Sequence, residues 1–245
     1  MKVIVYSMPS IRPTTDTRKN SWMNFGTAPC LAAGLITLSN CNRTARIWAD
    51  EEDWIIGVSA AATKASGCPA AIAHAFEVAE RLSFRDAWER GRKDKRFLRR
   101  RGGEAAPNRQ TEWVCQWQKI ASDDPRTDVD PPGDIHVRPT RRGYVHIPGA
   151  VHDDRWKNDI KGPYLVGSSR SVYLGRGLEY PKSLAAIFRR QYRDAGITQR
   201  TPVGSKARTP KKIEGDDAEE YVEVLLELLS EFESQPVPPY RAVRR

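Results

Sequence analysis

Two stretches of this sequence hold side chains whose types and spacing could do chemistry. The first is Ile135-His136-Val137 and Val145-His146-Ile147, set around Thr140-Arg141-Arg142-Gly143. Strict alternation on both sides of a Gly-containing turn predicts a β-hairpin. If Val137 pairs with Val145, His136 lies directly across from His146, with β-carbons about 4.5–5.5 Å apart. Two imidazoles so placed could stack on bases. They could also hold a divalent metal, with His152 and Asp153 as further ligands. A metal with an open coordination position would make a nuclease or phosphoesterase. A one-residue slip of register would remove the alignment.

The second stretch is a basic run. Residues 81–101 hold Arg81, Arg85, Arg90, Arg92, Lys93, Lys95, Arg96, Arg99, Arg100 and Arg101 against Asp86, Glu89 and Asp94. Arginine dominates, and the guanidinium fork suits phosphate oxygens bidentately. The run therefore predicts phosphate-backbone contacts at Arg90, Arg92, Lys93, Lys95, Arg96 and Arg99 to Arg101. Arg189, Arg190 and Arg193, on the polar side of a helix at 181–195, form a second candidate surface.

Other signals are weaker. Asp50 to Asp53, and the Asp residues between 123 and 134, are explained by turn chemistry. No Walker loop, G-x-G-x-x-G or G-x-S-x-G is present. Cys30, Cys41, Cys68 and Cys115 include no C-x-x-C pair, so zinc fingers are not expected and reduced thiols in a cytoplasmic or similar compartment are. No resident cofactor is expected unless the histidines bind a divalent metal.

These residues need elements to position them. Val3 to Tyr6, Ala45 to Trp48, Trp54 to Val58, Trp113 to Trp117, Tyr164 to Val166 and Ser171 to Leu174 read as strands from their β-branched and aromatic content. Pro69 to Ala79 has helical spacing at Ile72, Phe76 and Ala79. Ser83 is an N-cap signal for a helix carrying Phe84 and Trp88 and running on to Arg101. Pro181 to Ala195 is an amphipathic helix closed by Gly196. The class expected is α/β or α+β, with mixed small sheets, two or three amphipathic helices and a separate C-terminal acidic helix.

The organisation expected is an N-terminal α/β region over 1–101 ending in the basic helix, a linker at 102–110, and a β-rich region at 111–197. A basic linker at 198–215, an acidic amphipathic helix at 216–234 and a Pro/Arg-rich tail at 235–245 follow. In the acidic helix Tyr221, Val222, Leu225, Leu228, Leu229 and Phe232 form a broad apolar stripe. Tyr221, Leu225, Leu228, Leu229 and Phe232 are expected to dock on the body, on a second copy or on a protein partner.

Charge decides among functional classes. The 245 residues carry 40 Lys and Arg against 31 Asp and Glu, a net charge of +9. Nine of the acids and no base lie in residues 214–233, so the rest of the chain carries +18. A polyanion would be drawn to such a body. No apolar run reaches the ~18–20 residues of a membrane span. The expectation is a nucleic-acid-binding protein, DNA or RNA, without catalysis of its own, within a nucleoprotein or a phage or mobile-element assembly. The rivals are the metal-dependent nuclease and an assembly protein docking through its acidic helix.

Overall fold

A computed structural model describes residues 1–8, 11–13, 22–24, 30–32, 35–39, 42–59, 71–97, 111–113, 135–147, 156–170, 172–192 and 209–233. Its frame is an eight-stranded mixed sheet. Strand β1 (Val3–Met8) is parallel to β6 (Trp54–Ser59), and β6 is antiparallel to β7 (Ala71–Leu82). Next come β11 (Tyr164–Gly167), β5 (Leu35–Leu38) and β4 (Cys30–Ala32), while β12 (Val172–Glu179) also pairs with β7. The far edge is β13 (Lys211–Ile213), antiparallel to β1 within the stretch read as a linker. A three-stranded sheet joins β2 (Ile11–Pro13), β3 (Trp22–Asn24) and β8 (Thr111–Trp113).

Both faces of the main sheet are covered, which is why β1 reads as an unbroken apolar run rather than an alternation. Val3 and Val5 point to a layer made by α4 (Lys182–Tyr192) and α5 (Asp216–Glu233). Ile4, Tyr6 and Met8 point the other way, to α1 (Arg43–Trp48) and β5. The amphipathic stripes of α4 and α5 bury Leu184, Ile187, Phe188, Ala218, Tyr221, Leu225 and Leu229 against β1 and β6. Each large aliphatic among these contributes about 1.5–3 kcal/mol. The acidic helix therefore docks on its own body, and the hydroxyls of Tyr180 and Tyr221 meet there at 2.6 Å. Leu228 is partly buried against the same cluster, and the side chain of Phe232 lies outside the described residues.

Two element assignments need correction. Residues 43–48 are helical, not extended, because the Asn42 side chain accepts from the Ala45 N–H and starts a turn. Its inner face buries Ala45 and Arg46. Residues 71–82 form a strand, not a helix. Phe76 and Val78 follow a strand's period of two into one core cluster, Ile72 and Ala75 pack in the other across an irregularity of register, and β6, β11 and β12 all pair with this segment. Tertiary pairing overrides a local alanine-rich helical preference.

A third cluster carries the candidate site. Phe84 and Ala87 of α2 (Phe84–Arg90) pack with Phe97, Ile135 and Val137 on Tyr164 and Val166 of β11. Among the described residues no helix is long and apolar enough to cross a membrane.

Candidate nucleic-acid interface

Helix α2 starts where the sequence places it. The Ser83 Oγ accepts from the Asp86 N–H at 3.1 Å and donates to the Asp86 carboxylate at 2.6 Å. The helix stops at Arg90, however, with Gly91 as C-cap, and does not run to Arg101. The reason is Phe97. It must return to the core, where it is 3% exposed and stacks on Tyr164 at 6.1 Å. Turns closed by Lys93 N–H to Arg90 carbonyl and Phe97 N–H to Asp94 carbonyl bring it there.

The basic run is consequently dispersed, and much of it is internally matched. Arg90 pairs with Glu80 at 2.6 Å and lies over the Phe97 ring, Arg92 pairs with Glu89 at 3.1 Å, and Arg96 grips Asp94 at 2.8 Å. Their hydrogen bonds to Arg90 and Arg96 hold the Glu80 and Asp94 carboxyls below their ordinary pKa range. Lys93 and Lys95 are exposed. Arg90, Arg92 and Lys93 line an open cleft with Leu82, Asp86 and Glu89, a surface of mixed sign. Arg99, Arg100 and Arg101 lie outside the described residues.

The second candidate surface is also matched. Arg190 of α4 bonds Asp217 at 2.6 Å and Glu220, both on α5, and these hydrogen bonds, Glu220 first, raise its pKa. Arg189 is exposed, and Arg193 lies outside the described residues.

A positive edge of one sign lies instead at the hairpin, β9 (Val137–Thr140) with β10 (Gly143–His146). Arg141 and Arg142 form its two-residue turn, and both are exposed, as is Arg138 on β9. Gly143, at φ 138°, supplies the backbone conformation that brings the chain back. Helix α2 packs on β9, and Arg85 in its first turn donates to the Thr140 carbonyl at 2.8 Å. Arg85, Arg138, Arg141 and Arg142 thus share one end of the molecule. None of them was singled out as a phosphate contact from sequence. The Arg-Arg pair in a predicted turn is the signal that could have found them.

The hairpin's register differs from the expected one. His146 pairs with Val137 and Val145 with Arg138, one residue from the alignment that puts the histidines opposite each other. Val145 is 46% exposed, not core, and the His136 carbonyl accepts from the Ile147 N–H. The slip follows from burial of Ile135 and Val137 together with a two-residue turn. His136 is nonetheless near His146, with ring centroids 6.3 Å apart and nearly perpendicular. His136 is buried edge-on to Phe84, and its Nε2 stands 3.9 Å from the Asp159 carboxylate. His152 and Asp153 lie outside the described residues. Among the described residues no group of three His, Cys, Asp or Glu is placed to hold a metal ion.

Beside the histidines is α3 (Trp156–Asp159). Trp156 stacks on His146 with ring centroids 5.5 Å apart and planes 5° from parallel. The fully buried Arg46 guanidinium fixes this turn by donating to the carbonyls of Asp159 and Pro163, at 2.9 and 2.5 Å. Gly162 lets the guanidinium approach, since a Cβ there would lie 3.2 Å from the Arg46 Nη1.

Residues 22–208, which include α2, the hairpin and α3, match the sequence pattern of the family described as nucleotide modification associated domain 2. No curated protein and no solved structure matches the chain. The match spans well over half of the 245 residues, and the chain belongs to the nucleotide modification associated domain 2 family.

Proposed function

We propose that this protein binds nucleic acid through phosphate contacts made at the hairpin end of the fold. The observation that carries this reading is the grouping of Arg85, Arg138, Arg141 and Arg142 around the α2–β9 contact, all four exposed. Exposed guanidinium groups set close together are suited to a run of phosphates, which they engage with release of condensed counterions. The family's description, which concerns nucleotide modification, supports a nucleic acid as the polyanion. In this reading the protein delivers or holds the nucleic acid within a larger assembly. A labelled oligonucleotide titrated at several salt concentrations tests it. Binding that weakens steeply with salt is expected, and no binding at low salt would overturn the proposal.

A further inference from the structure

The geometry points to a base-stacking platform, made by His146 and Trp156, that selects unpaired nucleotides. This rests on the nucleic-acid reading above and adds the class of ligand. The two rings come from separate elements, β10 and α3, and stack on each other with planes within 5° of parallel, which leaves the outer faces for a base. Both are partly exposed, with Trp156 resting on the third core cluster. The pair is braced from behind, since His136 sits edge-on to His146 and Arg46 anchors the carbonyls that end α3.

Charge complementarity names the occupant. Lys157 places its ammonium 5.7 Å from the Trp156 centroid, and Lys161, in the turn after α3, is exposed. The hairpin arginines stand at the other end of β10. His146 lies three residue steps beyond Gly143, about 10 Å of strand. At the 3.4 Å rise of a stacked strand that is about three nucleotide steps, and fewer for an extended one. One strand can therefore lay phosphates on Arg141 and Arg142 while a base reaches His146 and Trp156. In a duplex both faces of each base are stacked, so only an unpaired or extruded base can use an aromatic platform. Lys157 over the Trp156 ring and the nearby Lys161 favour an anionic partner over a neutral peptide.

The test compares oligothymidylate and oligouridylate of about 15 nucleotides, within the usual ~4–16-nucleotide site sizes, with a duplex of equal length. A fourth probe has the same phosphates but abasic sugars. Binding to the full-length protein is read by fluorescence anisotropy. Single strands should bind more tightly than the abasic probe by at least about fivefold, the low end for one stacked base. Trp156→Ala should remove that difference and leave duplex affinity and salt slope unchanged, and Trp156→Phe should restore most of it. Equal binding of abasic and base-bearing strands by the wild-type protein would overturn the platform while leaving phosphate binding intact. That arm needs no variant to fold. No binding of any probe would overturn both proposals.

Discussion

The Arg85 guanidinium donates to the Thr140 carbonyl at 2.8 Å, across 55 residues of sequence. This bond ties the first turn of α2 to the tip of the β9–β10 hairpin. It gathers into one surface four arginines that the sequence holds in two groups. The proposed phosphate surface depends on that junction more than on the density of charge in residues 81–101.

The ion pairs of Arg190 make a prediction that separates the two candidate surfaces. Its guanidinium is already occupied by Asp217 and Glu220. Arg190→Ala should leave oligonucleotide affinity within about twofold, consistent with the small worth of exposed pairs. A fall comparable with that of a hairpin variant would mean that α4 contacts the ligand after all.

Helix α5 should be an integral layer of the fold. Leu225 is fully buried between α5 and the sheet. Leu225→Ala should cost about 2–5 kcal/mol in urea unfolding, the range for a buried leucine that leaves a cavity. Tyr221→Phe should cost about 1–3 kcal/mol by depriving the buried Tyr180 hydroxyl of its partner. A near-neutral Leu225→Ala would show that this side chain is not packed between the helix and the sheet.

His74 should make the fold acid-sensitive. It is fully buried on β7, with its Nε2 3.2 Å from the Tyr6 hydroxyl and its ring against Phe76 and Gly57. Burial lowers its pKa from an ordinary 6.5 to about 3. As pH falls through 6.5 the unfolded chain gains this proton and the folded chain does not, so stability drops from there towards pH 3. The loss from this group is up to about 1.4 kcal/mol per pH unit. Urea midpoints measured below neutrality should fall more steeply for wild type than for His74→Gln. Parallel slopes would remove His74 as the cause.

Several elements were readable because local signals and packing agree. Ser83 and Asp86 mark the start of α2, the apolar stripes of α4 and α5 meet the sheet, and alternation about Arg141 and Arg142 marks the hairpin. Elsewhere local and tertiary forces disagree. Ile47 and Trp48 look extended, but the Asn42 cap and burial of Arg46 make a helix. Alanines in β7 look helical, but three neighbouring strands claim the segment. The candidate phosphate set followed charge density, which cannot reveal that Arg90, Arg92 and Arg96 have carboxylates to hand. Trp156 was one of seven tryptophans until α3 set it against His146.

The most direct test of the central claim is the salt dependence of oligonucleotide binding by the triple variant Arg138→Ala, Arg141→Ala, Arg142→Ala. Weaker binding and a flatter plot of log K against log salt are expected. Each lost phosphate contact should reduce the slope by about 0.9 on duplex DNA or about 0.7 on a single strand. A triple variant that folds, binds as tightly as wild type and keeps the full slope would contradict that claim.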